Sequence, residues 1–272
     1  MAERIALGLE YDGRGFCGWQ TQSGKCAVQD HVEQAIAEIH GGLVRTITAG
    51  RTDTGVHALA QVVHFDAERF RPEQAWVRGV NAHLPAGVSV LWAMRVSPQF
   101  DARRAALERT YRYVVLNRPV RPALLAGRVG WVYGDLDDDL MAEAAPQLQG
   151  THDFSAFRAA ECQARSPVRE LRRVSLSRQG EFVIFEFRAN AFLHHQVRNM
   201  VGALVWVGLG RRSPAWLGRL LASRDRSLGA ATFAPDGLYL AGVSYDASFG
   251  LPEPSPMPLL PPGFPPLMPH SP

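Results

Sequence analysis

The run Gly50-Arg51-Thr52-Asp53-Thr54-Gly55-Val56-His57-Ala58 sets one carboxylate between glycines and two residues from a guanidinium. In extended backbone, side chains two apart point to the same face, which brings Arg51 beside Asp53. A guanidinium there holds a carboxylate ionised and fixes its direction. That suits an anionic nucleophile or a base. The flanking glycines let the chain turn sharply and let a ligand approach the backbone. On these residues alone, a turn or helix-cap role for Asp53 is the commoner fate of an aspartate beside glycine. Asp53-Thr54-Gly55 is also the tripeptide of aspartic proteases. Those enzymes need two such aspartates sharing a proton, and the sequence holds no second copy.

Two further segments carry side chains suited to a nucleic acid. Arg109-Thr110-Tyr111-Arg112-Tyr113 opens an apolar stretch, and strand alternation puts Arg109, Tyr111 and Tyr113 on one face. An aromatic ring among guanidiniums can stack an unpaired base, worth about 1–3 kcal/mol. The competing role is a cross-strand aromatic pair. Phe192-Leu193-His194-His195-Gln196-Val197-Arg198 leads into an apolar helix, with Arg198 in the first turn. A cation there opposes the helix dipole by a few tenths of a kcal/mol, so Arg198 has another task, such as meeting a phosphate or carboxylate. His194 and His195 lack other ligand-spaced residues and are expected to hold no metal.

The basic residues number 29, with Lys25 the single lysine, against 26 acids, a net charge of +3. Their distribution says more than the total. Seven arginines and two acids fall between Asp101 and Arg128, and six arginines and two acids between Arg158 and Arg178. Such clusters bind a polyanion through counterion release, or else form a solvated surface. Three cysteines (Cys17, Cys26, Cys162) without CxxC spacing argue against a disulfide framework or zinc site and fit a reducing cytoplasm. The charged N-terminus does not read as a signal peptide. The apolar stretch Met200–Gly210 is half the roughly 20 residues needed to span a bilayer, so no membrane segment is expected.

The positioning elements follow from periodicity. Strands are expected at Arg4–Tyr11, Val44–Ala49, Gln61–Ala67 and Val88–Val96, with helices from Val28 to the Gly41-Gly42 stop and over Pro72–His83. The second half has strands at Thr110–Asn117, Val168–Ser177 and Glu181–Ala189, the last two joined at Gln179-Gly180. Helices over His195–Leu209 and from Pro214 precede a strand near Leu238–Tyr245. This predicts an α+β protein with an N-terminal lobe at 1–105 and a second lobe at 106–248. The proline-rich stretch 249–272 is expected to be a disordered tail.

GRTDTGVHA, RTYRY and FLHHQVRNMVGAL, with YDGRGFCGWQ before them and APDGLYL after, together resemble the TruA family of tRNA pseudouridine synthases. The resemblance runs from about Tyr11 to Tyr245. It implies two ferredoxin-like (RRM-like) halves forming a continuous, mainly antiparallel sheet, with helices on one side and a central catalytic cleft. It also implies a cytoplasmic homodimer that needs no cofactor and acts on tRNA uridines at positions 38 to 40. Residue by residue, Asp53 matches the catalytic aspartate and Arg51 the arginine beside it. Tyr111 matches the tyrosine stacked on the target base, Arg198 the arginine paired with the aspartate, and Leu238 an apolar wall of the pocket. A tRNA-binding chaperone without catalysis is the alternative from another class.

Overall fold

The computed structural model describes residues 2–253. Its contacts divide the chain into two compact units, one holding residues up to Leu107 and those from Leu240 on, the other Glu108–Tyr239.

In the first unit, β1 (Glu3–Tyr11) is followed by α1 (Val28–His40), β2 (Ile47–Thr48), β3 (His57–Ala67), α2 (Glu73–His83) and β4 (Val88–Val96). β1 pairs antiparallel with both β3 and β4, and β2 pairs with β3, giving the order β4-β1-β3-β2. This is the split β-α-β layout of ferredoxin-like folds. Val28, Val32, Ala35 and Ile36 recur at helical spacing and are all buried, and Gly41 ends α1 at φ 84°. On α2, the indole of Trp76 meets the Phe65 ring edge-on at 5.2 Å, which seats the helix on β3.

Two details differ from the sequence reading. The strand expected over Val44–Ala49 shrinks to two residues. Glu33 on α1 captures the Thr46 backbone N–H at 2.8 Å and its hydroxyl at 3.0 Å, removing a donor that a longer ladder would use. β3 also begins at His57, so the end of the Gly50–Ala58 loop already belongs to a strand.

The second unit contains β5 (Glu108–Asn117), β6 (Gly130–Val132), α3 (Asp138–Ala144), β7 (Gly150–Asp153), β8 (Val168–Gln179), β9 (Phe182–Ala189), α4 (Gln196–Gly208) and α5 (Pro214–Ser223). Its antiparallel order is β5-β9-β8-β7. β6 adds one parallel pair against β5. Val183, Phe185, Phe187 and Ala189 are all fully buried, the alternation expected of β9. α4 is buried along nearly its whole length, the core helix foreseen in Met200–Gly210. β6, α3 and β7 were not expected. Each is seven residues or fewer, too short for a periodic signal, and the acidic Asp135–Asp139 stretch reads as loop although Asp137 caps α3 through the Leu140 N–H.

β10 (Leu238–Ser244) follows, and from Leu240 the chain belongs to the first unit again. There the Leu107 N–H donates to Ser244 O, the Tyr245 hydroxyl donates to Ala102 O, and the buried Phe100 ring lies 5.1 Å from Tyr245 and 5.2 Å from Phe249. The lobe read as 106–248 therefore gives up its end to the first unit. The expected tail begins at the last residue of a 3₁₀ turn, Ala247–Phe249, and residues 254–272 lie outside the described residues. Among the described residues no helix is long and apolar enough to cross a membrane.

The cysteine reading needs correction. Cys17 and Cys26 are joined by a disulfide, with Cα atoms 5.4 Å apart, while Cys162 is free. The Cys17 N–H donates to Cys26 O at 2.9 Å, so the β1–α1 loop folds back on itself and brings the two side chains together. An odd count leaves room for one bridge, and spacing along the chain does not reveal a loop that closes.

Candidate active site

The Gly50–Ala58 segment crosses from the end of β2 to the start of β3, and its turn is closed by the Val56 N–H donating to Asp53 O at 3.1 Å. Gly55 takes φ 79°, a conformation that glycine adopts without steric cost. Thr52 is buried and Asp53 half-buried. The carboxylate therefore stands on a fixed turn rather than a free loop.

The β1–α1 loop supports this turn from behind. A Cβ on Gly13 would lie 2.2 Å from Val56 O, and one on Gly18 (φ +85°) would lie 2.7 Å from Thr52 O. Only glycine allows both approaches. The Trp19 N–H donates to Thr52 O at 2.9 Å, and the Gly13 N–H donates to His57 Nδ1 at 3.1 Å. His57 Nδ1 also lies 3.4 Å from Asp12 Oδ1. Partial burial opposes the charge on Asp12, but hydrogen bonds from Arg14 outweigh it and hold the carboxyl at about 2.

Arg51 behaves differently from the expectation. Among the described residues, no hydrogen bond or ion pair joins it to Asp53. It is exposed overall, and its guanidinium pKa is drawn down by partial burial and by the charge of Arg103. Thr52, between them, is buried while Arg51 is exposed and Asp53 half-buried, so the two lie on the outward side of the segment without bonding to each other.

In the second unit, Arg109, Tyr111 and Tyr113 are buried on one face of β5, as alternation requires, and Thr110 and Arg112 face the other way. Tyr111 meets Phe192 edge-on at 5.1 Å. Tyr113 donates to Ala234 O at 2.8 Å, and burial pushes its phenol far up. On the opposite face, Glu186 is opposed by burial but held down by Arg112 and Arg188, each 2.8 Å from it. Arg109 Nη1 donates to Asn190 O, which ties β5 to the start of the Phe192–Arg198 segment.

That segment enters α4 through His195, which takes the left-handed conformation at φ 60°. A non-glycine residue there costs about 1–3 kcal/mol and persists only where its surroundings hold it. Here Gln196 Oε1 accepts from the Leu193 N–H, and the Asn199 N–H donates to His195 O. Arg198 is half-buried, and its Nε donates to Phe233 O at 2.8 Å, which aims the rest of the guanidinium. Phe233 in turn packs on Tyr113 at 5.4 Å. Leu238, 5% exposed, starts β10 and is fastened by its N–H to Pro235 O. The first unit thus presents Asp53 and Arg51, and the second presents Tyr111, Arg198 and Leu238.

Sequence reasoning missed His57, Phe192 and the polar residues behind the loop. An isolated histidine in a motif gives no sign of its acceptor role. Phe192 was legible as an aromatic beside His194 and His195, but its contact with Tyr111 depends on a pairing distant in sequence.

A family profile described as tRNA pseudouridine synthase matches residues 9–103 and 144–246. The chain belongs to this family. It is 60% identical to tRNA pseudouridine synthase A of Thiobacillus denitrificans over 252 residues, covering 93% of this chain and 97% of that protein. It is 58% identical to tRNA pseudouridine synthase A of Methylobacillus flagellatus over 249 residues, covering 92% of this chain and 95% of that one. A remote likeness, at 12% identity and TM-score 0.40, is to a chain in the crystal structure of a Cbf5–Nop10–Gar1 complex, covering 87% of this chain and 48% of the other. The Gly50–Ala58 turn lies within the family match, as do Arg198 and Leu238, while Tyr111 lies in the interval between its two parts. Membership in a pseudouridine synthase family leaves no support for the aspartic protease reading.

Proposed function

We propose that this chain isomerises uridine to pseudouridine in tRNA, with Asp53 as the group that acts on the nucleotide. The observation that carries the reading is the family match around a half-buried carboxylate on a turn locked by Gly13, Gly18 and Trp19. The reaction breaks the bond between ribose C1′ and N1, turns the uracil and rejoins it through C5. No group is imported and no electron is gained or lost, so the chemistry calls for no metal or organic cofactor. Attack on C1′, attack on C6 and proton abstraction at C2′ all use a carboxylate oxygen, which Asp53 supplies.

The remaining roles follow from what each side chain offers. The target must leave its stack, at a cost of a few kcal/mol. Tyr111, braced by Phe192, stacks on the extruded ring, and Leu238 forms an apolar wall beside it. Arg198, aimed by Phe233 O, pairs with the Asp53 carboxylate, and Arg51 meets the RNA near the turn. The substrate uridines are those at positions 38 to 40 of the anticodon stem-loop, and the enzyme works in the cytoplasm as a homodimer. Support for these finer points comes from the motifs shared with the family.

The test is direct. Purified protein incubated with tRNA yields pseudouridine, while Asp53→Asn binds tRNA as before and forms none. Tyr111→Phe, which keeps the ring, binds normally and turns over about 10²-fold more slowly if the hydroxyl moves a proton. Normal turnover by Asp53→Asn removes the mechanism. A wild-type protein that remodels the anticodon arm without making pseudouridine returns the chaperone reading.

A further inference from the structure

Behind the Asp53 turn lies a buried polar chain that the roles above do not use. Gln61 on β3 is 0% exposed, Tyr11 on β1 4% and Thr52 6%. Gly50 O can only accept, so Gln61 Nε2 faces it at 2.6 Å, and the same amide nitrogen reaches the Tyr11 hydroxyl at 3.3 Å. Gln61 Oε1 accepts from the Val62 N–H at 3.2 Å, which fixes the amide's orientation. The Tyr11 hydroxyl also shares a hydrogen bond with Thr52 Oγ1 at 2.7 Å. Burial pushes the Tyr11 phenol up to about 12, so it stays neutral.

Burying an amide, a phenol and a hydroxyl offers less stability than filling the same space with apolar groups. What a fully connected network provides is a fixed arrangement. This one grips the loop at Gly50 and at Thr52, three residues and one residue before Asp53. Thr52 is held twice, by its hydroxyl through Tyr11 and by its carbonyl through Trp19. The backbone leading into the carboxylate therefore has one position.

We propose that Gln61, Tyr11 and Thr52 are positioning residues that set the direction of the Asp53 carboxylate toward the target nucleotide. The inference rests on Asp53 being the reacting group. A misplacement of about 1 Å in a reacting group lowers rate by as much as about 10²-fold without weakening the binding of distant parts of the substrate. The signature is therefore a fall in kcat with KM for tRNA held.

The experiment compares Thr52→Val, Tyr11→Phe, their double variant, Thr52→Ser and Asp53→Asn in the full-length protein, with pseudouridine formed per folded enzyme as the readout and thermal melts run alongside. Thr52→Val and Tyr11→Phe are each expected to lower kcat about 10- to 100-fold with KM within about threefold. The double variant should lose no more than the worse single, because both break one chain. Thr52→Ser, which keeps the hydroxyl, restores turnover. If Thr52→Val and Tyr11→Phe melt earlier but keep wild-type kcat, or lose activity through KM alone, the network is structural and the proposal is overturned. An active Asp53→Asn overturns the underlying assignment too. An inactive Asp53→Asn beside wild-type kcat in the network variants overturns only the positioning role.

Discussion

Asp12 sits at the point where the β1–α1 loop meets the His57 end of the Asp53 turn, and its charge is bound up with the fold. Arg14 holds its carboxyl at about 2 in the folded protein, below its ordinary 3.8. A carboxyl whose folded value is depressed stabilises the protein above the unfolded value and loses that contribution as pH falls through the folded one. The window is thus from about 4 down to about 2. Wild type should lose melting temperature across this range more steeply than Asp12→Asn, as thermal melts in acid buffers will show; parallel curves would contradict the assignment. At this scale, the sequence made Asp53, Tyr111 and Arg198 conspicuous because their residue types are unusual for their surroundings. It overstated Arg51, whose charge is acted on by burial and Arg103 rather than by Asp53. Gln61 and Thr52 stayed hidden, because a buried polar residue shows its purpose only when its partner is known, and Tyr11 lies 50 positions from one and 41 from the other.

The loop joining β1 to α1 is the element on which the Asp53 turn leans, and the Cys17–Cys26 bond closes it. Closing a short loop restricts the unfolded chain and stabilises the fold by about 2–3 kcal/mol. Treatment with dithiothreitol should lower the melting temperature by several degrees, and a Cys17→Ser, Cys26→Ser double variant should melt low with or without reductant. A reductant response in that variant would place the effect elsewhere. Elements with eight or more residues and a clean period were legible: α1, β4, β9 and α4 lie within a residue or two of their expected bounds. β2, β6, α3 and β7 were truncated or unseen, because their extent is decided by partners. Glu33 cuts β2 short, and β6 exists only as a parallel neighbour of β5.

At the scale of the molecule, the arginine clusters bear on how the protein meets RNA. Arg103, Arg104 and Arg165 are exposed, whereas Arg169 spends Nη1 on the carbonyls of Ser166 and Val168. Affinity for tRNA should fall steeply with salt, each neutralised phosphate adding a slope of about −0.7 to −0.9 on logarithmic axes. Arg103→Gln with Arg104→Gln should flatten that slope, whereas Arg169→Gln should change it less; filter binding across a salt series gives both. The α+β class was readable from the strand-helix order. The return of the chain at Leu240 was not, because nothing local marks a strand whose two ends belong to different units. That return bears on how the protein is made. Phe100 is sealed by Tyr245 and Phe249, which leave the ribosome only after the whole of the second unit, about 130 residues later. At roughly 5–20 residues per second, the nascent first unit waits on the order of 10 s with that aromatic face uncovered. During synthesis, the half that carries Asp53 begins first and is finished last.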